Sequence, residues 1–88
     1  MNPLTDDQAR AVVREAVATV APEVRPELEA LDPAIDLWDE LGLDSMDHLN
    51  VMTELAERTG IEVAERDYPR LRSVAAIAAH LATAGSPS

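Results

Sequence analysis

The sequence predicts an all-α domain, a small antiparallel four-helix bundle of three main helices and a short third one. Three observations carry that prediction. Apolar residues recur at steps of three and four in three separate segments, the spacing of helices with one buried face. No segment keeps the strict apolar–polar alternation of a half-buried strand. The prolines and glycines fall between the periodic segments and punctuate them. With 88 residues the chain suffices for one small domain. Chains of that size bury roughly 60–65% of the surface they expose when unfolded, so the core is thin.

The elements follow in order. Thr5 and Gln8 have capping-box spacing. Ala9, Val12, Val13, Ala16, Val17 and Val20 then form an amphipathic stripe, so the first helix is expected over about residues 6–20, ended by Pro22. Residues 21–44 form a long connection broken by Pro22, Pro26 and Pro33. It carries Leu28, Leu31, Ile35, Leu37, Trp38, Leu41 and Leu43, so it must pack onto the bundle, with a short helical turn near residues 26–31. The second helix is expected over about 45–59, with Gly60 as its left-handed cap. Leu49, Val51, Met52, Leu55 and Ala56 cover its broad apolar face. Asp47, Asn50, Glu54, Glu57 and Arg58 lie opposite, and Met46 falls at the edge beside the acidic side. Ile61-Glu62-Val63 reads as an extended link with its apolar residues inward. Residues 66–71 read as a turn or a very short third helix, in which Pro69 suits a first helical position. Ser73 can cap a last helix that buries Val74, Ile77, Ala78 and Leu81. The domain is expected to span 1–84, with 85–88 as a flexible tail.

Composition narrows the function. Cysteine is absent, which removes disulfides, thiolate metal sites and a cysteine nucleophile; any thiol chemistry must come from an attached group. The net charge is −10 and every basic residue is arginine or histidine. Such a surface repels nucleic acid and anionic lipid and suits basic patches on other proteins. The start of the chain has neither a basic cluster nor an apolar run, and no stretch approaches the roughly 20 apolar residues of a membrane span. A cytoplasmic, monomeric protein is expected.

Ser45 is the residue of most interest. It stands where a glycine-containing loop meets the second helix, near the helix's unpaired N–H groups and the positive end of its dipole, a good place for a phosphate. No neighbour in the sequence looks able to activate it as a nucleophile, so it reads as a residue to be modified. The competing reading makes Ser45 only the N-cap of the helix. Asp44 and Asp47 could simply complement the helix dipole. As an acid–base pair they lack the differing, shielded environments that split carboxylate pKa values. His48 and His80 show no metal-ligand spacing with the carboxylates. His48 is expected to pack its ring against the connection, and Trp38 to anchor that connection.

At Leu41-Gly42-Leu43-Asp44-Ser45-Met46-Asp47 the chain resembles the acyl carrier protein family, whose stretch reads Leu-Gly-x-Asp-Ser-Leu/Met-Asp. Helix order, length and acidity extend the resemblance over roughly residues 4–81. The resemblance implies a non-catalytic carrier on which partner enzymes act. Ser45 would receive 4′-phosphopantetheine from coenzyme A by the action of a phosphopantetheinyl transferase, and the arm's thiol would carry an acyl group as a thioester. Asp44 would help position the Mg²⁺–coenzyme A complex. Met46 would be the apolar contact for partner enzymes, while Asp44, Asp47, Glu54 and Glu57 would meet their arginines and lysines. Loading ligases, synthases and transferases with basic patches are the partners implied.

The physics of the residues agrees with this. A flexible tether on a rigid helix start raises the concentration of its cargo at each partner's site. The apolar interior, free of phenylalanine, could shelter an acyl chain. Asn50, His48, Trp38 and Thr59 depart from the commonest fatty-acid carriers and favour a specialised pathway. The Gly-Gly-His/Asp-Ser signature of many peptide-synthetase carriers is absent, since Leu43-Asp44 precedes Ser45. The function expected is thus an acyl carrier in fatty-acid, polyketide or other specialised biosynthesis. The alternatives are a carrier for an activated amino acid and an unmodified helical adaptor.

Overall fold

In the computed structural model, which describes residues 4–84, Thr5 closes the start of α1 (Asp6–Val20) as its spacing predicts. Its hydroxyl accepts the Gln8 N–H at 3.1 Å, and Gln8 Oε1 accepts the Thr5 N–H at 3.0 Å. The helix ends at Val20. The connection begins with a 3₁₀ turn at Pro22–Val24 and continues into α2 (Arg25–Ala30), where Pro26 costs nothing because the first helical N–H groups have no partner anyway. The expected short helical turn is therefore real.

A second helix within the connection, α3 (Leu37–Glu40), was not anticipated. It is only four residues long and depends on Asp36, whose carboxylate accepts the N–H groups of Trp38 and Asp39, both at 3.1 Å. So short a helix leaves no periodicity to read.

The long helix α4 (Ser45–Thr59) has the expected bounds and ends on Gly60 at φ 73°. Residues 61–64 link it to a 3₁₀ helix at Glu65–Arg70. Ile61 and Val63 pack against the core as expected. Pro69 sits near the end of that 3₁₀ helix, however, and not at its first position. The 3₁₀ bonding pattern, with no run of i→i+4 bonds to interrupt, accommodates it there. Finally, Ser73 Oγ accepts the Ala76 N–H at 3.1 Å and opens α5 (Val74–Ala84).

Helix α1 is the centre of the bundle and packs against both α4 and α5. Val13, Val17, Leu37, Val51, Leu55, Ile77 and Leu81 are completely buried between them, together with Leu28 from α2. The described residues contain no strand, and the domain measures 36 × 25 × 20 Å. Leu49 departs from the expected apolar face: it is 42% exposed. It lies at the margin of α4's apolar sector, on the side that lines a surface cleft and not the core. The tail expected at 85–88 lies outside the described residues.

Candidate functional site

The loop before α4 is shaped by Gly42, whose φ of 67° is a left-handed conformation that glycine adopts without strain. The Leu43 N–H then donates to the Trp38 carbonyl at 2.8 Å, fastening the loop to α3. Asp44 follows in an extended conformation and caps α4. Its carboxylate accepts the Asp47 N–H at 2.9 Å, and Asp47 Oδ2 accepts the Asp44 N–H at 3.3 Å. The cap is thus Asp44, and the reading of Ser45 as N-cap is corrected. Ser45 is the first helical residue, exposed, with its hydroxyl outside the capping bonds. The Asp44 carboxylate also complements the positive end of the helix dipole.

The other candidates distribute unevenly around Ser45. Met46 is 65% exposed, as its edge position predicts. Asp44 and Glu57 are exposed and Asp47 is half-buried. Glu54 is less available: Arg58, one turn later, donates to it at 2.9 Å. Arg58 also reaches Thr19 Oγ1 at 2.9 Å and so ties α4 to α1. No group of three His, Cys, Asp or Glu side chains among the described residues could hold a metal ion.

Beside Ser45 a cleft of about 570 Å³ opens between α4 and the 65–70 segment. Ser45, Met46, His48 and Leu49 form one wall; Glu65, Tyr68, Pro69 and Arg72 form the other. Two rings of this lining, His48 and Tyr68, stack with a third, Trp38, that lies outside it. His48 is sandwiched between Trp38, with ring centroids 4.1 Å apart, and Tyr68, at 5.1 Å. Trp38 is buried, and its Nε1 donates to the Leu71 carbonyl at 3.1 Å. The expected packing of His48 on the connection is therefore observed, and Trp38 anchors the connection as expected while being buried and not merely partly so.

Residues 33–38 are laced to the start of α5. The Leu37 N–H donates to the Arg72 carbonyl at 2.7 Å, and the Ala75 N–H to the Pro33 carbonyl at 2.8 Å. Arg72 Nε donates to Asp36 at 2.5 Å. That bond holds the Asp36 carboxyl below its ordinary pKa. Burial, and secondarily the positive charge of Arg72, push the His48 pKa down, while Asp36 opposes them. His48 Nε2 is shielded and has no hydrogen-bond partner among the described residues. No hydrogen bond from His48 Nε2 reaches Ser45, so the ring is not in place to serve it as a base.

This arrangement has counterparts in known proteins. Residues 11–81 match the family described as "Phosphopantetheine attachment site". An "Acyl carrier protein" of Streptomyces coelicolor (strain ATCC BAA-471 / A3(2) / M145) is 33% identical over 84 residues, covering 93% of this chain and 89% of its own. The chain belongs to the acyl carrier family of phosphopantetheine-binding proteins. No solved structure gives a significant match. The carrier is not a catalyst. Its covalent group is 4′-phosphopantetheine, which supplies the thiol that a cysteine-free chain lacks. A phosphopantetheinyl transferase and biosynthetic enzymes are its partners as a class. No helix among the described residues is long and apolar enough to cross a membrane.

The sequence did not reveal the ring stack or the Asp36–Arg72 pair. A faint signal was present: the chain's single Trp, its single Tyr and a histidine within α4's apolar sector are the ring-bearing residues that had to be placed somewhere.

Proposed function

We propose that Ser45 is the residue that carries the arm, and that this carrier presents acyl intermediates of fatty-acid or polyketide type to partner enzymes. One observation supports it above the rest. The Ser45 hydroxyl is exposed on the first turn of α4, outside the Asp44–Asp47 capping box and at the edge of a cleft. The positive end of the helix favours a phosphodiester there. Ser45 need supply only an accessible hydroxyl; the base and the metal come with the transferase. Asp44, exposed and one residue away, is placed to help orient Mg²⁺ and coenzyme A. Met46, Asp44, Asp47 and Glu57 form the face that meets basic partners, with Glu54 contributing less because Arg58 already engages it. We place the carrier in the cytoplasm as a monomer, since a charge of −10 opposes self-association.

The test is intact mass after incubation with coenzyme A, Mg²⁺ and a broad-specificity phosphopantetheinyl transferase, for wild type and Ser45→Ala. The wild type should gain one phosphopantetheine and the variant none. Because Asp44 holds the cap, Ser45→Ala should melt close to the wild type. A gain retained in the variant would move the attachment elsewhere. No gain in a folded wild type, with the transferase active on a control carrier, would end the reading.

A further inference from the structure

Resting on the reading that α4 docks basic partners, we propose that Arg58 decides which of them the carrier accepts. It closes to cations the margin of the docking face that runs beside α1. The enzymes selected are those whose arginines and lysines meet Asp44 and Asp47 next to Ser45 and whose surface opposite Arg58 is acidic or uncharged.

Placement is the first argument. Successive helical residues turn by about 100°, so Asp47, Glu54 and Arg58 fall within one stripe about 40° wide. The stripe begins with a carboxylate and ends with a guanidinium. From Asp47 to Arg58 it runs about 16 Å along the axis, at about 1.5 Å per residue. That exceeds the screening length of about 8 Å at physiological ionic strength, so a partner meets the two ends as separate charges. Glu57 lies about 100° further round the helix, outside this margin, and stays exposed.

Fixation is the second. Arg58 Nε donates to Glu54 Oε1 at 2.9 Å, and its Nη2 donates to Thr19 Oγ1 on α1, also at 2.9 Å. The Thr19 hydroxyl donates in turn to the Glu15 carbonyl at 2.8 Å, which leaves its oxygen lone pairs for Arg58. A cation in the last turn of a helix suits the dipole wherever its side chain points, so the dipole alone calls for no bond to another helix. The tie to α1 keeps the guanidinium in place as a partner approaches. Glu54 stays engaged, and a cation arriving at that margin meets a charge of its own sign. Charge balance is the third argument. The Arg58–Glu54 pair carries no net charge and Asn50 is neutral, so the unbalanced carboxylates nearest Ser45 are Asp44 and Asp47. Like charges set against each other across an interface suppress the wrong partners and slow encounter.

The test measures arm transfer to the carrier by one phosphopantetheinyl transferase at about 0.1 M and about 1 M salt. The carriers are wild type, Arg58→Gln, Arg58→Lys, Thr19→Val and the double variant of Glu54→Gln with Arg58→Gln. At low salt Arg58→Gln should raise kcat/KM several-fold through a lower KM, with kcat unchanged. Arg58→Lys keeps the charge and should match the wild type. The double variant should also return close to the wild type, since the pair is neutral in both. Thr19→Val frees Arg58 from α1 and should give a smaller gain than Arg58→Gln. These differences should vanish at high salt. Arg58 sits on the surface, so all the variants should fold, which the melting temperature checks. No gain in Arg58→Gln at low salt, a gain that survives high salt, or an equal gain in Arg58→Lys would overturn the proposal. A Thr19→Val carrier indistinguishable from wild type would overturn the part played by the tie. Glu57→Gln keeps the docking reading apart from this one. A fall in kcat/KM there, with Arg58→Gln inert, would retain docking on α4 and remove the guard. No effect from Glu57→Gln or Met46→Ala would remove the docking face and this proposal together.

Discussion

His48 shows how a single residue couples structure to solution behaviour. Burial lowers the pKa of its ring, helped by the charge of Arg72 and opposed by that of Asp36; Glu65 and Tyr68 stand on the facing segment. Folding lowers its pKa from the ordinary 6.5, so the unfolded chain accepts a proton that the native state resists. The stability this contributes is complete above pH 6.5 and is lost as pH falls toward the lowered native value. The melting temperature should therefore drop as pH falls below 6.5, and His48→Phe, which cannot take a proton, should flatten that slope. An unchanged slope would show that His48 does not govern this range. Met46 is the contrasting case. At 65% exposure its truncation removes little buried surface, so Met46→Ala should leave the melting temperature nearly unchanged. It should raise KM for partner enzymes that dock on α4. A large loss of stability would instead place Met46 in the core. Its edge position was legible from helical spacing. His48's two ring partners were not, because neither is a near neighbour in the chain.

At the scale of elements, caps decide where the helices begin and hence where Ser45 stands. The Thr5–Gln8 box could be read directly, since both residues are local and correctly spaced. The Asp44–Asp47 box lay equally open to view, yet Ser45 competes for the same role on sequence grounds alone. The structure separates them by one residue, and that residue puts the serine on the helix and frees its hydroxyl. Asp44→Ala should cost about 1 kcal/mol in chemical denaturation, whereas Ser45→Ala should cost little. The reverse order would return the cap to Ser45. The same comparison predicts a second loss in Asp44→Ala, slower arm transfer, if Asp44 also orients the metal complex. Helix α3 belongs to this scale too. Its four residues are held by Asp36, which is itself held by Arg72 near the start of α5.

For the whole molecule, charge is the dominant feature. Arg10, Arg25, Arg58, Arg70 and Arg72 each hold an acidic partner within the fold. The surplus carboxylates face solvent and give the carrier a field that attracts basic partners from a distance. Raising salt from about 0.1 M to about 1 M shortens the screening length from about 10 Å to about 3 Å. Arm transfer to the wild type should accordingly show a several-fold fall in kcat/KM over that range. The melting temperature should not fall with it, because screening also relieves self-repulsion. A salt-independent rate would mean that docking rests on apolar contacts such as Met46.

Local spacing in the sequence determined the three long helices, the caps at Thr5, Gly60 and Ser73, most of their buried faces and the placing of Ser45 at a helix start. Each depends on residues within about one turn of one another, so the chain itself carries the information. The tertiary structure decided the rest: Asp44 as the cap of α4, Leu49 at a cleft instead of the core, a second helix within the connection, and the ring stack beside the serine. The last three rest on contacts between distant residues. Trp38 bonds across 33 positions to Leu71, and Asp36 across 36 to Arg72. Such pairings are chosen by the packing of the whole bundle, since no local preference distinguishes one distant partner from another.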